Sequence, residues 1–162
     1  MRTRFFLIAA AALWCCLILA APVMAAGTGF LHAAGAAVYV FFAPMCHQWD
    51  SHSFHLFGHK LPVCIRCCAI YFSFLAGIVL YPSIGRNAER RFGARTMLIA
   101  ASAGMIVDAA LSMLGISQSS TATRLATGGW FGLLAAFVLT PLLGELIRSI
   151  RFPGNFLHNN LS

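Results

Sequence analysis

Charge is the scarcest thing in this chain. Only 9% of its 162 residues are charged, where soluble domains carry about 25%. With a mean hydropathy of +0.82, that deficit excludes an ordinary water-soluble fold. Segments of alternating polarity are missing too, which excludes a transmembrane β-barrel. The Cys-x-x-Cys-His run that anchors haem covalently does not occur. No break in composition marks a second globular domain. The net charge of +7 leaves no continuous basic surface, because the arginines stand at segment ends and in one loop. No nucleic-acid partner is expected.

What the chain does have is a succession of solid apolar runs, each near the ~20 residues that cross a bilayer as a helix. They predict an all-α, polytopic transmembrane bundle of four to five segments in contact with lipid. The first run is Phe5 to Ala25, behind the basic start Met1-Arg2-Thr3-Arg4. Residues 1–25 read as a retained N-terminal membrane helix or signal anchor, although Val23-Met24-Ala25 would serve as a cleavage site. Cys15 and Cys16 lie mid-run and read as small packed residues. Residues 26–151 then form a single helical membrane domain, and 152–162 a C-terminal tail.

The second run, Gly29 to Met45, is short. Ala33 and Ala37 predict a small-residue face for close helix contact, and His32 reads as an interfacial packing residue. A polar loop, Cys46 to Lys60, follows, then a third run from Leu61 to Tyr81. Loop 82–95 holds Arg86, Arg90, Arg91 and Arg95 against Glu89 alone. The fourth run is Thr96 to Gly115. After a Ser/Thr-rich loop, Ile116 to Thr123, the fifth runs from Leu125 to Ile147, with Gly128 and Gly132 as a GxxxG packing pair. Glu145 and Arg148 read as a surface pair.

The arginine-rich loop and the basic tail belong on the cytoplasmic side. That places the Cys46–Lys60 loop outside, yet two full crossings from a cytoplasmic N-terminus would place it inside. The conflict resolves if residues 29–45 are re-entrant or broken, or if the N-terminus starts outside despite Arg2 and Arg4. The site is then expected on the outer side of a cytoplasmic (inner) membrane.

Cys46 and His47 flank that loop at one end, Cys64 and Cys67 at the other. Pro62 suits a first helical turn, and it places Cys64 beside the free N–H groups and positive dipole end, where a thiolate is favoured. Cys64, Cys67, Cys68 and Tyr71 share one helical face. Two thiols at C-x-x-C spacing, with a third cysteine and a histidine from elsewhere, form a tetrahedral donor set for Zn²⁺. Cys46, His47, Cys64 and Cys67 are therefore the expected metal ligands. His52, His55 and His59 are substitutes for His47 or lie beside it.

Asp108 sits well inside the fourth run, where a carboxylate costs about 2.5–3.5 kcal/mol unless it is protonated or paired. Its expected partners are Ser112, Arg66 or water. Arg66 is expected to meet Asp108, a lipid phosphate or the field of the thiols. Arg124 opposes the dipole of its own helix, which suggests an anionic partner, and Ser120 or Thr121 is expected to cap that helix. Gln48, His52, Arg66, Tyr71, Asp108, Thr121 and Arg124 are thus the expected surroundings of the metal or the lining of a polar cavity.

These motifs resemble those of the family of prokaryotic multi-pass membrane proteins designated domain of unknown function 2085. Cys46-His47-Gln48 is similar to its CHQ triplet. His52-Ser53-Phe54 stands where the family has R-S-F. Pro62-Val63-Cys64-Ile65-Arg66-Cys67-Cys68-Ala69-Ile70-Tyr71 resembles its P-V-C-x-R-C-T-G-I-Y box. Asp108-Ala109 stands for an Asp-Gly step. Ser120-Thr121-Ala122-Thr123-Arg124, then Thr127-Gly128, resembles its last motif. The resemblance implies a multi-pass membrane protein and carries no activity with it.

Three readings follow. A zinc site joins two segments beside a cavity for a small anionic ligand. A thiol–disulfide oxidoreductase uses the C-x-x-C pair, with Cys46 resolving; a second cysteine pair to receive the electrons is not evident. A small transporter or assembly partner uses Asp108 and Arg124 to gate, or to dock a membrane protein.

Overall fold

The computed structural model describes residues 2–115 and 120–151, without the side chains of Arg2, Ser112 and 148–151. The expected Glu145–Arg148 pair, the Asp108–Ser112 contact, loop residues 116–119 and the tail 152–162 lie outside the described residues. The elements are α1 (Arg2–Ala25), α2 (Phe30–Phe42), a 3-10 turn (Asp50–His52), β1 (His55–Leu56), β2 (His59–Lys60), α3 (Ile65–Leu80), a π-helical turn (Tyr81–Gly85), α4 (Arg86–Met113) and α5 (Thr121–Arg151).

Among the described residues, three helical stretches are long and apolar enough to cross a membrane: Thr3–Ala25, Ile65–Leu111 and Thr121–Ile147. The middle one is a hairpin, because Arg66 near its start reaches Asp108 near its end. The helix breaks at Gly93, whose φ of 72° and ψ of 152° suit a residue without a Cβ. The bundle therefore has four long arms. The expected loop 82–95 is mostly helix up to that break, since arginine is a good helix former and its charge hides the periodicity.

α2 is the exception. At 13 residues it is about 20 Å long, too short for a hydrocarbon core of about 30 Å. It folds back along α1: a Cβ on Gly35 would lie 2.7 Å from the Ala25 nitrogen, and Phe42 packs on Trp14 at 5.1 Å. Gly35, not the expected Ala33/Ala37 face, makes the close contact; both alanines are exposed. His32 Nδ1 lies 2.9 Å from the Ala25 carbonyl and fastens the turn, as an interfacial histidine would.

α5 packs on α3 through its GxxxG pair. A Cβ at Gly128 would come within 2.6 Å of the Arg66 carbonyl, and one at Gly132 would meet the Ile70 carbonyl and Ser73. Buried Ile18, Phe42, Cys46, Leu61 and Val63 form one core, with Trp14, Cys64, Cys67, Cys68 and Tyr71 against it. This core joins α1 and α2 to the start of α3. Cys15 is buried within the bundle, whereas Cys16 lies exposed on its outer face.

At the other end, Pro82 lacks the N–H that would serve the Ile78 carbonyl in a regular helix. Arg4 fills the gap: its Nε donates to Ile78 O at 3.2 Å and Nη2 to Val79 O at 2.8 Å. Arg4 thus shares one end of the bundle with the segment that carries Arg86, Arg90 and Arg91. Cys64, at the start of α3, marks the opposite end.

Candidate functional site

Helix α3 begins at Ile65, later than expected, and Cys64 is its N-cap residue in extended conformation (φ −70°, ψ 165°). Pro62 therefore precedes the helix instead of filling its first turn. An N-cap side chain lies over the unpaired N–H groups of the first turn. Cys67, at the third helical position, falls on the same side. Cys46 arrives from the short turn after α2, and the Cys64 N–H donates to its sulfur at 3.1 Å.

The three sulfurs of Cys46, Cys64 and Cys67 lie within 4.8 Å of one another. Cys46 is buried and the other two are half-buried; all three are free thiols. The Cys64 thiol is held down to about 5, first by a hydrogen bond from the Cys67 side chain, with help from the backbone N–H groups of Cys67 and Arg66 and from Cys46, against the desolvation that raises it. A sulfur so placed is a ready ligand or nucleophile.

Among the described residues these three form the convergent metal-type set, and His47 lies outside it. Its ring is exposed and stands edge-on to Trp49 at 6.0 Å. Consecutive residues project in different directions, so the one after a buried Cys46 faces outward. His47 still lines the cavity onto which the thiols open.

That cavity is about 700 Å³, and its walls include Cys46, Cys64, Cys67, His52, Arg66 and Arg124. Arg124 Nη2 donates to His52 Nε2 at 3.1 Å, which makes Nε2 an acceptor and puts the ring proton on Nδ1. Arg66 pairs with Asp108 between α3 and α4, with side-chain exposures of 25% and 12%. The intramembrane carboxylate thus has its countercharge, one of the expected alternatives.

Other expected residues stand apart. Tyr71 faces the core, edge-on to Trp14 at 5.7 Å. Thr121 is exposed at the start of α5, and it is Ser120 that caps, its Oγ accepting the Thr123 N–H at 3.2 Å. Gln48 braces the loop: at φ 50° it turns the chain after His47, donates from Nε2 to the Tyr39 carbonyl at 2.8 Å and accepts from Lys60 Nζ at 2.7 Å. His55 and His59 belong to the hairpin β1–β2, whose turn residues Phe57 and Gly58 both have positive φ, as a two-residue type I′ turn requires. His55 contacts Asp50 at 3.2 Å, and neither histidine lines the cavity.

The sequence reading missed Met45, Met105, Ala109 and Met113, which also line the cavity. The signal was there: residues 105, 109 and 113 recur every fourth position beside Asp108 and so share its helix face.

No solved structure matches this chain. Uncharacterized protein MJ1492 of Methanocaldococcus jannaschii is 34% identical over 110 residues, covering 68% of this chain and 70% of that protein. An uncharacterized protein of Methanothermobacter thermautotrophicus is 31% identical over 114 residues, covering 67% of this chain and 96% of that protein. The family described as "Predicted membrane protein (DUF2085)" matches residues 46–138. That stretch starts on the first thiol and takes in every cavity residue named above except Met45. The chain belongs to the DUF2085 family of predicted membrane proteins.

Proposed function

We propose that Cys46, Cys64 and Cys67 form a binding centre for a thiophilic metal ion, Zn²⁺ being the ion the sequence suggests, at the outer mouth of an inner-membrane helical bundle. The observation that carries this reading is the meeting of three sulfurs from two separate stretches within 4.8 Å. Zinc takes four ligands. Rotation of the His47 side chain would close the site and make it a clamp between α2 and α3. With His47 turned away, the fourth position faces the cavity. Bound there, zinc would act as a structural clamp or would polarise a ligand as a Lewis acid.

The protein's own groups have separate duties. The Cys64 N–H donates to the Cys46 sulfur and holds it in place. The Arg66–Asp108 pair fixes α3 to α4 beneath the thiols. Arg124, oriented by His52, presents a cation to a small anionic ligand in the cavity. The outward orientation is supported by Arg4, Arg86, Arg90 and Arg91 standing at the far end, where cytoplasmic charge belongs, and by α2 being too short to cross. α1 supplies part of the core beside the thiols, which supports its retention.

The test is metal analysis of detergent-purified protein by mass spectrometry. One zinc per chain is expected, lost in Cys46→Ser, Cys64→Ser and Cys67→Ser. Metal-free protein whose stability those changes leave untouched would overturn the centre. The lowered Cys64 thiol, in contact with Cys67, also favours a second reading, thiol–disulfide exchange. Alkylation separates the two: metal-held thiols all react after chelation alone, whereas a disulfide yields its thiols only after reduction.

A further inference from the structure

The cavity offers more soft donors than the three thiols. Three of the chain's six methionines line it, Met45, Met105 and Met113, together with the imidazoles of His47 and His52. Thioethers are soft donors, and Cu(I) is the softest of the ions that thiolate and thioether sites take. Met113 is 89% exposed and Met45 47%, while Met105 is half-buried. The three side chains thus form a series in exposure, Met113 the most open and Met105 the least. Ala109, between Met105 and Met113 on α4, carries a small side chain and keeps the wall clear.

The thiol set itself fits the same ion. Zinc wants a fourth ligand, and the convergent set has three members. Cu(I) is satisfied by two or three soft donors. Cu(I) on three thiolates carries net negative charge, and Arg124 on the cavity wall is a cation that faces the same space.

We infer that this cavity is a Cu(I) entry chamber, in which Met113, Met45 and Met105 pass the ion from solvent to Cys46, Cys64 and Cys67. The inference rests on the thiol centre proposed above and names its ion. No electron transfer is involved: Cu(I) enters as Cu(I), and the thiol protons leave to solvent as the sulfurs bind.

The experiment uses the full chain, purified in detergent under anaerobic conditions, with Cu(I) supplied on a chromophoric chelator. The wild type is expected to withdraw one Cu(I) per chain, to develop thiolate-to-copper absorbance in the ultraviolet and to release any zinc. The variant Met45→Leu/Met105→Leu/Met113→Leu is expected to reach the same stoichiometry about tenfold more slowly, the scale at which groups around a metal site act. Leucine keeps the volume of methionine, and Met97→Leu, in a separate core, should load as the wild type does. Wild-type loading by the triple variant would overturn the chamber. Zinc held against excess Cu(I) would overturn the ion assignment and leave the thiol centre standing. Failure to bind either ion would remove the centre itself.

Discussion

The backbone N–H of Cys64 donates to the sulfur of Cys46 over 3.1 Å, so a helix start and the turn leaving another helix are joined through an atom of the proposed metal centre. The sulfur serves as acceptor for a donor that the start of a helix leaves without an intrahelical partner. The bond exists without metal and therefore has its own stability consequence. The bond is part-buried beside the cavity, so water only partly replaces a lost acceptor. Cys46→Ala should destabilise the metal-free protein by about 1 kcal/mol, the low end of the cost of an unsatisfied donor. Cys46→Ser keeps an acceptor and should cost less. Thermal unfolding of both variants in detergent after chelation checks the order; equal losses would show that the contact contributes nothing.

The Arg66–Asp108 pair makes a sharper prediction because it is partly shielded, at 25% and 12% side-chain exposure. Breaking a fully buried pair strands a charge and costs about 3–5 kcal/mol. Asp108→Asn and Arg66→Gln should each lower stability by less, about 1–3 kcal/mol, the worth of a charged hydrogen bond. Arg66→Leu with Asp108→Leu should restore most of it, since the apolar pair needs no solvation. A double-mutant cycle read by unfolding in mixed micelles measures the coupling. Additive single losses would mean the two groups act independently.

The sequence disclosed the site's members more readily than their arrangement. Cys46, Cys64 and Cys67 were legible because the short loop and the C-x-x-C spacing constrain them locally. His47 was expected to join them because it adjoins Cys46, but neighbouring side chains diverge. Arg66 and Asp108 are 42 positions apart, and nothing local distinguishes that pairing from a lipid or thiol partner. The four long arms followed from hydropathy, whereas the rotation of α2 did not: Ala33, Gly35 and Ala37 are all small, and packing on α1 chose Gly35. Gly93 gave no warning, since a lone glycine among arginines reads equally as loop.

Helix α1 should persist in the mature protein. Cleavage after Ala25 would strip Ile18, 0% exposed, from the core it shares with Phe42, Cys46 and Val63. It would also remove the edge-on contacts of Trp14 with Phe42 and Tyr71. Intact-mass measurement of protein purified through a C-terminal tag is expected to include residues 2–25. A mass matching a start at Ala26 would refute this and would leave the thiol core uncovered on one side.

Arg4 supplies a further reason for retention, and its role can be isolated. Its guanidinium serves the carbonyls of Ile78 and Val79, the first of which Pro82 would leave without a donor in a regular helix. Arg4→Leu keeps an apolar stem but removes both donors. The expected loss is about 0.5–1.5 kcal/mol, the net worth of a hydrogen bond at a partly exposed end of the bundle. Pro82→Ala returns an N–H to the backbone four residues after Ile78, so the Arg4→Leu penalty should shrink in a Pro82→Ala background. The same cycle separates this role from topology. If Arg4 served only as a cytoplasmic charge, Arg4→Lys would be silent and Pro82→Ala would rescue nothing. As the capping group, arginine is poorly replaced by lysine, whose ammonium is a point charge and not a planar fork able to serve two carbonyls at once.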